Sequence, residues 1–178
     1  MNYEIKPINK KAFFDGLLNN ATPGQDGFAK TFLAKADARD LWPLATGAVG
    51  SEEGVMAASV LRLSKRAPTV ANLELIHTFA RFRGNGLGRA LVEASFHNAG
   101  KAGAQYFRVS SEPWAVGFYR GMGFKFWGAQ KSGPLLSMFR IEGDDIASGA
   151  YDAEDSVIRA ALAPGRRGGV TKPYDVPA

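Results

Sequence analysis

The chain has 178 residues, 46% of them hydrophobic and 22% charged, a composition typical of one soluble globular domain rather than a disordered chain. It contains no cysteine and two histidines, which excludes disulfides, thiol nucleophiles and cysteine-based or histidine-rich zinc sites. The formal net charge of +5 is compatible with an anionic partner, but the basic residues are scattered and form no long block.

The N-terminus and the apolar segments give no indication of a membrane or of export. No apolar run approaches the ~18 residues that a membrane-spanning helix requires. The first residues lack the basic segment followed by an apolar one that is typical of a secretory signal. We therefore expect a cytoplasmic protein without membrane contact.

Hydrophobic patterning in the N-terminal half predicts alternating strands and helices. In chain order these are a strand at 3–8, helices at 12–19 and 26–38, strands at 44–49 and 55–63, and a further strand at 73–79. Asp26 is predicted to cap the second helix. A glycine-rich turn follows the last strand and leads into a central helix at 88–99, which is expected to end at Gly100 or Gly103.

The C-terminal half continues this pattern with strands at 106–110, 124–128 and 135–141 and a helix at 152–162. The residues after 164 have the composition of a flexible tail. We therefore predict one α/β domain at 1–145 and a C-terminal extension at 146–178. Its fold is expected to be a twisted sheet flanked by helices, with a ligand cleft at the carboxyl end of the strand that precedes the glycine turn.

Glycines occupy every second position of that turn, which reads Arg83, Gly84, Asn85, Gly86, Leu87, Gly88 and Arg89. Such glycines permit positive φ and let the backbone approach a ligand closely, and the start of the next helix favours a phosphate. A Walker A loop is excluded because no Lys-Ser or Lys-Thr follows, and the dinucleotide fingerprint because the third glycine comes one residue early. The segment predicts a site for a phosphorylated cofactor.

The spacing Arg83-x-x-Gly86-x-Gly88 at a strand-to-helix turn resembles the acyl-CoA pyrophosphate loop of the GNAT acyltransferase superfamily. A second segment is similar to the same family: a short helix ends in Phe118 and Tyr119, and a Gly-Phe pair precedes the next strand. The two segments have the order and the approximate separation usual in GNAT enzymes. The resemblance is strong over about residues 70–128, weaker before residue 55 and absent after about residue 145.

The resemblance implies a mixed sheet flanked by helices and direct transfer of an acetyl group from acetyl-CoA to an amine, with no metal. It implies that the amides of residues 84–89 hold the pyrophosphate. Arg83 would either contact phosphate or brace the loop. The backbone of Ile76, His77 and Thr78 would align with the pantetheine arm as an added strand does.

Tyr119 matches the family's tyrosine near the cofactor sulfur, so it is the candidate donor to the leaving thiolate; the alternative is a tyrosine packed in the core beside Phe118. Two residues, Glu74 and His77, are candidates for the general base. Glu74 lies where several GNAT members carry a glutamate, although it is equally compatible with one half of an ion pair. His77 has a suitable intrinsic pKa, but strand alternation places it on the face opposite Glu74 and Thr78.

Glu112 stands where the family often has an asparagine that contacts the cofactor, which puts that contact in doubt. A carboxylate there would instead select a cationic amine substrate. Trp114, two residues on, would shape the same pocket.

We therefore predict an acetyl-CoA-dependent N-acetyltransferase acting on a primary amine of a small molecule or a protein. Two alternatives stay open: the same chemistry on an amino-modified base in nucleic acid, which the sequence pI of about 9.6 motivates, and a non-catalytic CoA-binding or interaction module. The sequence does not identify the amine acceptor, and it leaves a homodimer open.

Overall fold

In a computed structural model of the chain, the described residues are 2–36, 41–65, 67–112, 115–129 and 136–141. They belong to two compact units, one made of Met1–Arg62 with Leu73–Ala102 and the other of Leu63–Asn72 with Gly103–Ala178. The chain passes from one unit to the other within two of its strands.

The described residues of the first half of the chain form four strands and three α-helices. In order they are β1 (Glu4–Pro7), α1 (Lys10–Asn20), α2 (Gly27–Ala36), β2 (Leu44–Gly50), β3 (Gly54–Leu63), β4 (Val70–Thr78) and, after a 3-10 turn (Ala80–Phe82), α3 (Leu87–Lys101). The strands β1, β2, β3 and β4 lie side by side in that order. β1 and β3 both run antiparallel to β2, with Glu4 opposite Val49 and Leu44 opposite Leu61.

The second unit contains β5 (Tyr106–Ser111), the short helix α4 (Val116–Arg120), β6 (Lys125–Ala129) and β7 (Leu136–Ile141). β7 lies between β5 and β6 and is antiparallel to both. The last strand of the described chain is therefore inserted between two strands that precede it.

Part of the core of the first unit is a group of aromatic side chains around Phe13 of α1. The ring of Phe13 lies edge-on to Phe32 of α2 at 6.4 Å and stacks against Phe79, which follows β4, at 6.2 Å. Trp42 completes the group at 5.7 Å from Phe13. Burial of these large apolar surfaces holds α1 and α2 against the carboxyl end of β4.

Side-chain hydrogen bonds fix both ends of α1. Asn9 caps the helix by accepting the Ala12 amide at 2.9 Å. At the other end the buried amide of Asn20 donates to the carbonyl oxygens of Glu53 and Val55, at 2.8 Å each. The end of α1 is thereby tied to the turn that joins β2 and β3.

Within the described residues, each predicted strand and helix is present and only the bounds differ. Of the two glycines predicted to end α3, the structure has the second: α3 continues to Lys101, so Gly100 lies inside the helix and Gly103, with φ of 96°, follows its cap, Ala102. The predicted helix at 152–162 and the extension at 146–178 lie outside the described residues. None of the described helices is long and apolar enough to cross a membrane.

The contact between α1 and β3 generates a test at Gly16. A Cβ on Gly16 would lie 2.8 Å from the Cβ of Val55 and 2.9 Å from its carbonyl oxygen, so we expect Gly16→Ala to lower the free energy of unfolding by about 1–3 kcal/mol. Gly27, at the start of α2, has open space around its Cβ position and serves as the matched control. Urea unfolding measures both variants. A Gly16→Ala protein as stable as wild type would contradict this packing.

Candidate active site

The glycine turn lies between the carboxyl end of β4 and the start of α3. Gly84 and Gly86 have φ of 80° and 74°, a left-handed conformation that glycine adopts without strain. At both positions a Cβ would meet no atom within 4 Å, apart from the neighbouring residues of the chain. The glycines are therefore required by backbone conformation, and the face of the turn is open to a ligand.

The turn leads directly into the N-terminal end of a helix of 15 residues. The amide of Ala90 donates to the Gly86 carbonyl at 3.1 Å, the first hydrogen bond of the helical pattern. The amides of Leu87 and Gly88 precede it, where a helix offers no acceptor of its own and its dipole is positive. This end of α3 therefore has the geometry of an anion site.

Side chains on the inner side of the turn hold its shape. Asn85 donates through Nδ2 to the carbonyl oxygens of Phe82 and Arg83, at 3.0 and 3.2 Å. Leu87 is buried, which anchors the start of α3 in the core. The turn is thus fixed from within while its outer backbone stays exposed.

Arg83 makes three hydrogen bonds at the base of the turn. Its Nε donates to the carbonyl oxygen of Thr78 at 3.1 Å, and its Nη2 donates to the carbonyl oxygen of Gln25 at 3.1 Å and to Oδ1 of Asp26 at 3.0 Å. The guanidinium therefore joins the end of β4 to the segment before α2. Of the two roles that the sequence leaves open for Arg83, these contacts have the geometry of a brace.

Asp26 is a carboxylate enclosed by donors, with its side chain only 1% exposed. Besides Arg83 it accepts Nε2 of His77 at 3.0 Å and the backbone amides of Thr22 at 2.7 Å and Ala80 at 3.2 Å. A buried charge is tolerated only where such donors replace water. The carboxylate consequently links the α1–α2 connection, β4 and the turn.

The sequence-based role of Asp26 as a helix cap needs correction. Its backbone carbonyl does accept the amide of Ala29, at 3.2 Å, as expected of the residue before α2. Its side chain, however, serves the amides of Thr22 and Ala80 instead of those of α2. Local sequence carries no signal for this, because His77 lies 51 residues further along the chain.

His77 lies on the buried face of β4, and alternation places Glu74 and Thr78 on the other, half-buried face. Burial lowers the pKa of His77 below its ordinary 6.5, the charge and hydrogen bond of Asp26 oppose this shift, and the charge of Arg83 adds to it. The neutral ring donates its Nε2 proton to Asp26 and packs edge-on against Phe79 at 5.1 Å.

Glu74 is paired with Arg62 of the neighbouring strand. Its Oε1 accepts Nη2 of Arg62 at 2.7 Å and Nε at 2.9 Å. The sequence leaves both an ion pair and a general base open for Glu74, and the geometry supplies the ion pair. Ile76 and Thr78 share its face of β4.

Tyr119 belongs to the second unit, near the end of α4. Its ring is buried edge-on between Phe118 at 5.2 Å and Phe124 at 5.4 Å, and its carbonyl accepts the amides of Met122 and Phe124. Burial raises the pKa of Tyr119 to about 12, so the phenol stays protonated at neutral pH. Glu112, before this helix, is exposed, whereas Trp114 lies outside the described residues.

A family model described as an acetyltransferase (GNAT) domain matches residues 28–140, which is more than half of the chain. The chain belongs to the GNAT family. It is therefore an N-acetyltransferase, the enzyme class that its sequence predicts. No curated protein matches the sequence.

Solved GNAT structures share the fold at low sequence identity. PaiA N-acetyltransferase of Thermoplasma acidophilum, in complex with coenzyme A, is 14% identical, with a TM-score of 0.61 over 79% of this chain and 99% of that one. The GNAT enzyme YhbS of Escherichia coli, also with CoA, is 17% identical, with a TM-score of 0.62 over 84% and 86%. Ribosomal-protein-alanine N-acetyltransferase of Brucella melitensis is 16% identical, with a TM-score of 0.56 over 78% and 99%. The predicted fold, a mixed sheet flanked by helices, is confirmed.

The lowered pKa of His77 predicts how stability depends on pH. The unfolded chain binds a proton near pH 6.5 that the folded chain resists, so the free energy of unfolding should fall as pH drops below 6.5 and through the folded pKa of His77. Urea unfolding between pH 8 and pH 5 measures this fall. In His77→Gln, the fall should be smaller over the same interval. Identical pH profiles for the two proteins would contradict the assignment.

Proposed function

We propose that this protein transfers the acetyl group of acetyl-CoA to a primary amine of a small molecule or a protein. The turn between β4 and α3 carries the proposal: it presents two left-handed glycines and the exposed N-terminal end of a long helix. Membership of the GNAT family supports this, as do the coenzyme A complexes of PaiA and YhbS.

In this proposal the amides of residues 84–89 bind the pyrophosphate, which needs donors and positive potential rather than side-chain shape. The backbone of Ile76, His77 and Thr78 aligns with the pantetheine arm, as a sheet edge does with an added strand. Anchoring at both places makes attack by a bound amine effectively intramolecular.

The amine nitrogen attacks the thioester carbonyl carbon and loses a proton, the C–S bond breaks, and coenzyme A leaves as a thiolate that takes its proton from solvent. A phenol with a pKa of about 12 is a weaker acid than a thiol, whose pKa is about 8.5. Tyr119 is therefore assigned to stabilise the leaving thiolate by hydrogen-bond donation rather than by complete proton transfer. Glu74 is assigned ahead of His77 to take the proton of the amine, directly or through water, because it lies on the half-buried face of β4, whereas His77 lies on the buried face. Both side chains have a partner, since Oε1 of Glu74 is paired with Arg62 and Nε2 of His77 is engaged by Asp26.

The exposed carboxylate of Glu112 supports a cationic acceptor. Opposite charge raises the local concentration of an ammonium substrate, which must then lose a proton before it attacks. This favours an aliphatic amine over an aromatic one, because an aliphatic amine is protonated at neutral pH.

Replacement of Gly86 tests the binding turn. Valine disfavours φ of 74°, so Gly86→Val should weaken acetyl-CoA binding by about tenfold or more. Gly54 provides a matched control, because its φ of 66° and the open space around it give the same strain in the β2–β3 turn. Calorimetric titration compares the two variants. Unchanged affinity in a folded Gly86→Val protein would contradict the proposed role of the turn.

Removal of the Tyr119 hydroxyl tests the chemistry. The hydroxyl acts only as the thiolate forms, so Tyr119→Phe should lower kcat by roughly 10- to 1,000-fold while the KM for acetyl-CoA stays nearly constant. Tyr106→Phe, in β5, removes a tyrosine hydroxyl elsewhere in the same unit and should leave kcat unchanged. If Tyr119→Phe turns over at the wild-type rate, Tyr119 is a packing residue.

A panel of acceptors at saturating acetyl-CoA identifies the substrate class. The panel contains one set of compounds for each candidate acceptor class. These sets are small amines, peptides with free N-termini and lysines, and amino-modified nucleosides. Transfer to the small amines or peptides would support the proposal. Transfer restricted to nucleosides would overturn its acceptor class, and binding without transfer to any amine would make the chain a CoA-binding module.

A further inference from the structure

We propose that Asp26 is a positioning residue for the acetyl-CoA turn, which it holds by engaging Arg83 as a brace rather than as a phosphate ligand. The inference rests on the proposed binding of acetyl-CoA at residues 84–89. Asp26 lies outside the segments that resemble GNAT enzymes, and the inference makes it necessary for the shape of that site. Arg83, the arginine of the motif, then supports the turn instead of contacting phosphate.

The first argument is the origin of the donors around the carboxylate. They come from the α1–α2 connection (Thr22), from β4 (His77), from the 3-10 turn (Ala80) and from the glycine turn (Arg83). Loss of any of these donors would leave a buried charge undercompensated, which costs more than an ordinary hydrogen bond. The four segments therefore hold one another in place through Asp26.

The second argument is the geometry of Arg83. Its Nε and Nη2 reach acceptors in two directions, the carbonyl oxygen of Thr78 on one side and Gln25 with Asp26 on the other. A planar guanidinium meets such divergent acceptors, whereas a lysine ammonium is a single point of charge. Because Asp26 balances its positive charge, Arg83 contributes shape to the turn more than electrostatic attraction.

The third argument is the rigidity of the segment that carries Asp26. The carbonyl oxygen of Thr22 accepts the amides of Gln25 and Asp26, at 3.1 and 3.3 Å, while the amide of Thr22 donates to Oδ2 of Asp26. This closed turn fixes the carboxylate against two helices packed in the aromatic core. The glycine turn, which is exposed, thereby gains a rigid support that its own sequence does not supply.

The discriminating variant is Arg83→Lys, compared with Arg83→Gln. If Arg83 is a brace, both variants should weaken acetyl-CoA binding by a similar factor of about tenfold, since lysine keeps the charge and loses the divergent contacts. The kcat at saturating acetyl-CoA should change little, because the groups assigned to the chemical step are Tyr119 and Glu74. If Arg83→Lys binds like wild type while Arg83→Gln does not, charge is what matters and the inference is overturned.

Asp26→Asn provides a second test of the inference. It should raise the Kd for acetyl-CoA by about tenfold, because the amide nitrogen of asparagine repels donors that the carboxylate accepts. The control is Asn20→Ala, which removes another buried side chain with two hydrogen bonds from the same unit and should leave the Kd unchanged. An equal Kd in wild type and Asp26→Asn would overturn the inference. Should Asp26→Asn not fold, Arg83→Lys decides the matter alone, since its side chain is half exposed.

The experiments distinguish a failure of the proposed function from a failure of the role assigned to Asp26. No binding of acetyl-CoA by the wild-type protein would overturn the proposed function. Binding by wild type, with unchanged affinity in Arg83→Lys and Asp26→Asn, would overturn only the role of Asp26.

Discussion

Burial of the Asp26 carboxylate is the constraint on which the site in the first unit depends. A charge withdrawn from water must be compensated by donors in fixed positions. Here those donors belong to the α1–α2 connection and to residues 77–83, which are far apart in the sequence. The aromatic contacts of Phe13 bring these stretches together. The carboxylate then sets how they meet, because hydrogen bonds are directional and apolar contacts are not.

In this arrangement the backbone of the turn forms the surface that faces a ligand, and side chains maintain the shape of the turn. The outer surface of the turn exposes backbone amides, which suit an anion, and its glycines are required by their positive φ. Shape is maintained from behind by Arg83, Asn85 and the buried Leu87. Because the binding groups belong to the backbone, they depend on the dihedral angles of the turn, which the supporting side chains maintain.

Features that depend on neighbouring residues were predictable from the sequence. The positive φ of Gly84 and Gly86 and the start of α3 follow from a local pattern, as does the alternation that separates Glu74 from His77. Of the two glycines predicted to end α3, Gly103 follows the helix, whereas Gly100 is tolerated inside it because packing outweighs its low helix propensity. The ion pair of Glu74 with Arg62 was one of two open alternatives, and only strand pairing supplies the partner.

The sequence by itself determined the glycine turn and the order of strands and helices along the chain, since these follow from patterns within a few residues. Its resemblance to GNAT enzymes implied the family and the enzyme class. Tertiary structure decided the hydrogen-bond partners of Asp26, His77 and Arg83. Asp26 lies 51 residues from His77 and 57 from Arg83, and no periodicity or motif connects positions so far apart. These contacts depend on burial and on the proximity of the charged groups, which arise only once β4 and the α1–α2 connection have packed together.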